Sequence, residues 1–329
     1  MHQNSSLTRL HGVLVGHHNL SDRPTGCTVV LCPDGTVGGV EVRGAAPGTR
    51  ETDVLAPQNT VPHVHAVLLS GGSAFGLDAA SGVMKWLEEH GHGIPVGPVR
   101  VPIVPAAVIF DLGLGDPRIR PDMMSGWMAC SDANSAPVRM GNVGAGTGAT
   151  VGKVFGPHLA MKGGIGSAAL TVDGVTVAAL VVVNALGDVV DPKNGRILAG
   201  ARTTSSGLEL QDTVSRLIQG MSKAVLPIGA NTTIGVIATD AVLTKSQAHR
   251  LAQMGHNGLA QTIRPVHTPW DGDTLFALGT GKSGLPADMM LLSTLATEVT
   301  ALAVLNAVTS AESLRLAPGE WWPCANELK

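Results

Sequence analysis

Short runs of valine, isoleucine and leucine alternate along this chain with longer segments whose apolar residues recur at helical spacing. Short apolar runs bounded by glycine or proline are typical of buried strands. The pattern predicts strands at residues 29–32, 37–42, 66–70, 108–111, 167–172, 175–184, 233–239 and 274–278. Strands and helices occur in comparable amounts and both are strongly apolar, which predicts an α/β (layered α+β) protein with separate layers of sheet and helix.

Three segments have the helical spacing. The first follows the Gly71-Gly72 turn, the second starts at a capping box formed by Thr244 and Gln247, and the third is a long apolar segment at residues 287–310. Residues 191–226 interrupt the apolar pattern with polar sequence and predict an exposed connection that carries a short helix near residues 211–219. Exposed connections of this kind are natural sites for chain processing.

The composition excludes several classes of protein. The chain has 329 residues, of which 44% are apolar and 14% charged, whereas disordered chains are poor in apolar residues. A net charge of −3 and the lack of any Lys/Arg run argue against a nucleic-acid partner. The best apolar run, Val175–Val183, contains Thr176 and is about half of the ~20 residues that a membrane span needs, and the first residues lack a signal-peptide centre. We therefore expect a cytoplasmic protein with no membrane partner.

A glycine cluster at residues 141–153 is the first candidate site, and three interpretations of it stay open. Gly144, Gly146 and Ala149 fit the spacing of a dinucleotide fingerprint. Thr147 and Val154 occupy positions that a Walker A loop cannot accept. The cluster is otherwise a structural loop that permits close packing, or a loop that presents Lys153 and backbone N–H groups to an anionic centre.

The second candidate is the segment GANTTIGVIATD at residues 229–240, a turn that leads into a buried strand. Thr232 or Thr233 then lies at the start of that strand. Threonine is a weak nucleophile unless a base is at hand, and an N-terminal threonine has its own α-amine, with a pKa of roughly 7.7–8.0, for this purpose. Such a role requires that the chain is cut just before the threonine.

The third candidate is HTPWDGDTLFA at residues 267–277. Asp271 and Asp273 project to the same side of an extended chain. They form either a solvated acidic turn or a close pair that holds an ammonium group or orients a hydroxyl, with one pKa raised by the other. Two carboxylates are too few for calcium, the cysteines form no CxxC pair and the histidines have no metal-site spacing, so we expect no bound metal.

Taken together with KGGIGSA at 162–168, RGAAPGTRETD at 43–53 and LLSGGSAFGLDAA at 68–80, these motifs resemble one family of N-terminal-nucleophile hydrolases. It contains the nylon hydrolases (endo-type 6-aminohexanoate-oligomer hydrolases), the L-aminopeptidase/D-amidase/esterases and the β-aminopeptidases. The similarity covers roughly residues 7–310. The resemblance implies an αββα sandwich and a single catalytic domain, 1–329, which cuts itself into residues 1–231 and 232–329.

The resemblance also implies the functional residues. The bond that is cut joins Asn231 to Thr232, Thr232 is the nucleophile, and the other active-site positions are Lys153, Asn184, Asp271 and Asp273. The amide of Asn184 and nearby backbone N–H groups are expected to stabilise the oxyanion. No metal or organic cofactor is needed, and the implied assembly is a tetramer of αβ units.

The chain departs from the β-aminopeptidases, which use serine as nucleophile and have a tyrosine in the site, because it has a threonine and contains no tyrosine. We therefore expect hydrolysis of linear aliphatic amides such as 6-aminohexanoate oligomers. Three alternatives remain: an aminopeptidase or amidase-esterase of the same family, a threonine-nucleophile acyltransferase of the ornithine-acetyltransferase kind, and a non-catalytic dinucleotide-binding protein.

Overall fold

The computed structural model describes residues 4–224, 229 and 231–328. The strands are β1 (Leu14–Asn19), β2 (Gly26–Val42), β3 (Thr49–Arg50), β4 (Val64–Ser70), β5 (Ile94–Val96), β6 (Val99–Val101), β7 (Ala106–Val108), β8 (Thr150–Val151), β9 (Met161–Lys162), β10 (Gly164–Val172), β11 (Val175–Asn184), β12 (Asp188–Val190), β13 (Ile197–Ala199), β14 (Thr232–Thr239), β15 (Ile263–Arg264), β16 (Thr274–Gly279), β17 (Leu314–Arg315) and β18 (Trp321–Trp322). The α-helices are α1 (Ala79–Glu89), α2 (Met123–Asp132), α3 (Thr213–Ile218), α4 (Lys245–Thr262) and α5 (Met289–Thr309).

The long strand β2 joins two sheets. Its pairing with β4 is regular as far as Leu31 and resumes only at Thr36, so the strand changes register between the two residues. The first half of β2 pairs with β1 and β4, and its second half pairs with β16. The strand order β10-β11-β14-β16-β2-β4-β7-β3 therefore comprises one sheet up to β2 and a second sheet after it.

Alternating side chains along β11 identify the layers. Val177, Val181 and Val183 belong to a core that also contains side chains of α4 and α5, whereas Leu180 and Val182 belong to a core shared by both sheets. A third core joins the second sheet to α1 and α2. Because successive residues of a strand point to opposite faces, these cores define four layers in the order helix, sheet, sheet, helix. The structure confirms the predicted αββα sandwich.

Most predicted elements are present, with differences that have local causes. Residues 29–32 and 37–42 are the two halves of the single strand β2. The strand predicted at 108–111 is wrong beyond Val108. The chain leaves the sheet there because the buried Asp111 carboxylate forms an ion pair with Arg23 at 2.8 Å and accepts a hydrogen bond from Thr25. The capping box of Thr244 and Gln247 is confirmed at the start of α4.

The predicted exposed connection is largely confirmed: residues 192–196, 204–206 and 218–223 are exposed, and its short helix exists as α3. The prediction is wrong for residues 199–202, which are buried against the protein. Arg202 is fully buried and donates to several backbone carbonyls, among them those of Ser205 and His158. The Asp188 carboxylate accepts hydrogen bonds from the backbone of Ala201 and Thr213. Residues 225 and 226 of this segment lie outside the described residues.

Helix α5 corresponds to the long apolar segment predicted at 287–310. Within the described residues it is the one helix whose length and hydropathy would allow it to span a membrane, and 61% of its most apolar window is buried in the protein. Its buried face, which includes Leu292, Val299 and Val304, packs against α4, β10 and β11. Burial of that face explains its apolar sequence.

Strands β14 and β16 position the candidate site. They run parallel, with Ile234 opposite Thr274, so both begin at the same edge of the first sheet. Strand β11 is antiparallel to β14 and therefore ends at this edge, with Asn184 opposite Thr232. The three strands thus bring residues from distant parts of the sequence to one place.

Candidate active site

Thr232 is the first residue of β14 and is 3% exposed. Its hydroxyl donates a hydrogen bond to the backbone carbonyl oxygen of Asn231. The same carbonyl oxygen accepts the backbone N–H of Gly272 at 2.9 Å. A hydroxyl and a backbone N–H therefore meet at the carbonyl of the Asn231–Thr232 peptide bond.

Only glycine fits at position 272. A Cβ atom there would lie 2.7 Å from the carbonyl oxygen of Ala46 and 3.0 Å from Oγ1 of Thr232. The glycine between the two aspartates lets the loop approach the threonine closely. This approach brings the N–H of residue 272 within reach of the Asn231 carbonyl.

Asp273 is 1% exposed and holds the start of β14. Its Oδ1 accepts the backbone N–H of Thr233 at 2.6 Å. Its Oδ2 accepts the backbone N–H of His267 at 3.1 Å and lies 2.8 Å from Nδ1 of the same histidine. His267 adopts a left-handed conformation with a φ of 56°, an arrangement that non-glycine residues seldom adopt. The carboxylate of Asp273 is therefore fixed from both sides.

Asp271 is the second carboxylate of the motif and is 2% exposed. Burial and the neighbouring Asp273 raise the pKa of Asp271 to about 6, while a hydrogen bond from Thr268 and the charge of Lys153 oppose the increase. The backbone of Asp271 pairs with Asn231 in a parallel bridge. The two predicted carboxylates are therefore both buried next to the Asn231–Thr232 bond and repel each other, and the solvated-turn interpretation is wrong.

Lys153 follows β8 and is held at the end of β11. Its Nζ donates to Oδ1 of Asn184 at 2.8 Å and to the backbone carbonyl of Asn184 at 3.0 Å. Burial lowers the pKa of Lys153 to about 7, although Asp271 and Asp111 act in the opposite direction. The buried amine therefore loses its proton more readily than that of an exposed lysine.

Asn184 is fully buried and orients its neighbours. Its Oδ1 accepts Lys153 Nζ and the backbone N–H of Thr150, and its Nδ2 donates to the carbonyl of Phe110 at 3.1 Å. The amide nitrogen thus has a carbonyl partner. The N–H group that contacts the Asn231 carbonyl belongs to Gly272 rather than to Asn184.

The glycine cluster is a packed structural loop. Its backbone N–H groups at Gly144 and Ala145 donate to the side chains of Asn19 and Thr28. A Cβ at Gly146 would lie 2.4 Å from the backbone nitrogen of Ile165. These N–H groups already have partners inside the protein, which disfavours a phosphate cradle and the dinucleotide interpretation.

The sequence motifs indicated neither the N–H of Gly272 nor the imidazole of His267 as a functional group. Both lie within the motif at residues 267–277 that contains Asp271 and Asp273. The presence of His267 in the same short motif as Asp273 is the one feature of the sequence that could have indicated their contact. Among the described residues, no group of three or more His, Cys, Asp or Glu side chains is placed to hold a metal ion.

This protein has four layers in the order αββα, and its candidate site lies at the sheet edge where β11 ends and β14 and β16 begin. This is the fold of the N-terminal-nucleophile hydrolases. The solved L-aminopeptidase/D-Ala-esterase/amidase of Ochrobactrum anthropi, described as a variant of that fold, superposes with a TM-score of 0.73 at 20% identity over 96% of this chain and 89% of that one. A β-aminopeptidase of a Burkholderia species superposes with a TM-score of 0.71 at 22% identity over 97% and 90% of the two chains.

The chain belongs to Peptidase family S58, whose profile matches residues 5–320. It is 45% identical to an uncharacterized aminopeptidase of Mycobacterium leprae over 95% of this chain and 92% of that protein. It is also 31% identical to the 6-aminohexanoate-oligomer endohydrolase of Paenarthrobacter ureafaciens over 84% of this chain and 75% of that protein. The predicted family resemblance is confirmed, and membership supports hydrolysis of amide bonds.

Proposed function

We propose that this protein is an autoprocessing amide hydrolase that uses Thr232 as an N-terminal nucleophile and acts on linear aliphatic amides such as 6-aminohexanoate oligomers. The observation that carries the proposal is the geometry at the Asn231 carbonyl. Its oxygen accepts the hydroxyl of Thr232 and the backbone N–H of Gly272. Nucleophile and hydrogen-bond donor therefore contact the same peptide group.

Processing begins when Oγ1 of Thr232 attacks the Asn231 carbonyl carbon. The carbonyl oxygen becomes negative and is stabilised by the N–H of Gly272, a contribution of roughly 3 kcal/mol for one such donor. The carbon–nitrogen bond then breaks, and the hydroxyl proton ends on the nitrogen of Thr232. Water hydrolyses the resulting ester, which leaves a carboxylate on Asn231 and a free amine on Thr232.

In the mature enzyme the same hydroxyl attacks a substrate amide. The α-amine of Thr232 takes the hydroxyl proton and passes it to the departing amine. Asp273 and Asp271 orient the start of β14, and the charged form of Lys153 lowers the pKa of the hydroxyl or stabilises the oxyanion. Water then releases the acyl group, so amide and water become acid and amine.

The support for an aliphatic amide substrate is the presence of the set Lys153, Asn184, Thr232, Asp271 and Asp273, together with the lack of tyrosine in the chain. The endohydrolase relative adds to this support. An acyltransferase would undergo the same processing but pass the acyl group to an amine. Measuring acyl release with and without an amine acceptor separates the two activities.

Self-cleavage is the first prediction. A purified preparation is expected to give two fragments, residues 1–231 and 232–329, and the smaller is expected to begin Thr-Thr-Ile-Gly. A denaturing gel followed by N-terminal sequencing makes the measurement. An active enzyme whose chain stays intact after prolonged incubation would contradict the proposed nucleophile.

The second prediction concerns His267, which we propose as a positioning residue because it acts through Asp273. His267→Asn is expected to lower kcat about tenfold with little change in thermal stability, since asparagine tolerates the positive φ but cannot reproduce the imidazole contact. His267→Ala is the comparison and is expected to lose stability as well, because alanine disfavours that backbone conformation. Unchanged kcat in both variants would remove His267 from the site.

A further inference from the structure

Lys162 is a fully buried lysine to which the proposed reaction gives no role. Its Nζ donates to three backbone carbonyls, those of Gly146 at 3.3 Å, Ala149 at 2.7 Å and Gly163 at 3.4 Å. Three acceptors match the three N–H groups of an ammonium. Among the described residues no carboxylate forms an ion pair with it, which is rare for a fully buried lysine because burial of a charge costs free energy. This cost indicates a role beyond packing.

One peptide group joins Lys162 to the candidate site. Strand β9 ends at Lys162 and pairs with β8, so that Lys162 lies opposite Thr150. The carbonyl of Ala149 accepts Nζ of Lys162 at 2.7 Å. The N–H of Thr150, at the other end of the same peptide group, donates to Oδ1 of Asn184 at 3.1 Å, and this Oδ1 also accepts Nζ of Lys153. The two lysines therefore hold one chain of hydrogen bonds from opposite ends.

We propose that Lys162 is a positioning residue for the reaction and that it acts through Lys153. It holds the Ala149–Thr150 peptide group, which orients the amide of Asn184 and with it the amine of Lys153. It also affects the charge of Lys153, because two buried cations that lie close together repel each other. The inference rests on the proposed function, in which Lys153 acts in its charged form.

The charges around the two lysines support the second effect. Burial lowers the pKa of Lys153 to about 7 and the charge of Lys162 acts in the same direction, whereas Asp271 and Asp111 act against the decrease. Burial also lowers the pKa of Lys162 to about 7, again against the effect of Asp111. Asp111 is itself paired with Arg23. The charge of Lys153 therefore depends on carboxylates that favour it and on one buried cation that disfavours it.

Lys162→Met is expected to raise the pKa of Lys153 by about half a unit or more. The substitution removes a cation, whereas the carboxylates of Asp111, Asp271 and Asp273 stay in place. Because Lys153 acts in its charged form, the loss of hydrolysis with increasing pH is expected to move to higher pH. The loss of the anchor at the Ala149 carbonyl is expected to lower kcat about tenfold as well.

The experiment has two measurements. NMR of protein labelled with ¹³C at the lysine Cε follows the titration of Lys153, whose signal is assigned by its loss in Lys153→Met. All proteins for this titration also contain Thr232→Ala, so that every chain is compared in the uncut state. The pH dependence of hydrolysis of a 6-aminohexanoate oligomer is then measured with processed enzyme. Lys162→Gln is a second uncharged variant, which keeps a hydrogen-bond donor for the carbonyls, and is expected to shift both titrations in the same direction.

Lys245→Met is the matched control. Nζ of Lys245 also donates to three backbone carbonyls, but at the start of α4 and with other partners: Val54, Asn59 and Val61. Lys245 does not belong to the charges that act on Lys153. We expect this variant to lose some thermal stability and to keep both the pKa of Lys153 and the pH dependence of hydrolysis.

The outcomes separate the inference from the proposed function. An unchanged pKa of Lys153 in both Lys162 variants overturns the inference, whatever the activity. A lower kcat with an unchanged pH dependence also overturns it, because a merely structural role would have that effect. A shift of the same size in Lys245→Met does the same. If the unaltered enzyme hydrolyses no amide, the proposed function fails, and the NMR titration still decides whether Lys162 controls the charge of Lys153.

Discussion

Replacing Thr232 by alanine is expected to leave the chain in one piece and to reduce amide hydrolysis to background. Alanine removes the only atom that attacks the Asn231 carbonyl in the proposed reaction, and it prevents formation of the free amine that acts as base. Thr232→Ser retains a hydroxyl and is expected to keep both activities in part. Gel analysis and a count of newly formed amines from a 6-aminohexanoate oligomer measure the two effects.

Thr233→Ala is the matched control, because the adjacent threonine is also fully buried and its hydroxyl has no hydrogen-bond partner among the described residues. Its contact with Asp273 is made by the backbone N–H, which the substitution preserves. We expect cleavage and partial activity in this variant. If Thr233→Ala and Thr232→Ala behave alike, the effect is structural and Thr232 is not the nucleophile.

Asp273→Asn is expected to lower turnover about 100-fold while the protein stays folded. Both oxygens of Asp273 accept hydrogen bonds from backbone N–H groups, those of Thr233 and His267. An asparagine must turn its NH₂ group toward one of these donors, so one contact becomes repulsive and the start of β14 moves. A displacement of ~1 Å at a catalytic group can cost about 100-fold in rate. Single-turnover kinetics on processed enzyme measure the loss.

The same substitution at the other end of β14 is the control. Asp240 follows the strand, and its carboxylate also accepts a backbone N–H, that of Thr176 at 2.9 Å. Asp240→Asn is expected to change stability slightly and to keep turnover near that of the unaltered enzyme. Comparable losses in the two variants would mean that Asp273 stabilises the strand without a specific role in the site.

The strongly periodic elements were predictable from the sequence because both faces of the first sheet are buried. Strand β11 has the predicted bounds, 175–184, since every one of its residues is buried and Thr176 is the one polar residue before the final Asn184. Helix α5 is within two residues of its predicted start and one of its end. Extensive burial makes both apolar patterns long, and long patterns are the most informative.

Helix α2 was not predicted because its sequence is adapted to close packing rather than to amphipathic burial. It contains Gly126, where a Cβ would lie 1.9 Å from the carbonyl oxygen of Ala79. Gly82 of α1 makes the reciprocal approach to Met123. Glycine lowers helix propensity, so the residues that allow the two helices to touch also weaken the local signal.

The sequence predicted which residues form the candidate site, but it did not predict which atoms of these residues contact each other. The motifs supplied Thr232, Asp271 and Asp273, and the resemblance supplied Lys153 and Asn184. The partner of each polar atom depends on the meeting of β11, β14 and β16 at one edge, which no local pattern contains. For this reason the backbone N–H of Gly272, a residue with no side chain, appears only once the strands are assembled.

The position of β14 and β16 has a consequence for the proposed cleavage. Strand β14 begins at Thr232 and β16 follows it, yet both lie between β11 and β2, which precede it. Cleavage at Asn231–Thr232 would leave two fragments that are interleaved within one sheet and cannot separate unless the central hydrogen bonds break. Once heated apart, they must find each other in a bimolecular reaction, whereas the uncut chain refolds alone. The uncut chain therefore recovers after heating at any dilution, while recovery of the processed protein falls as it is diluted.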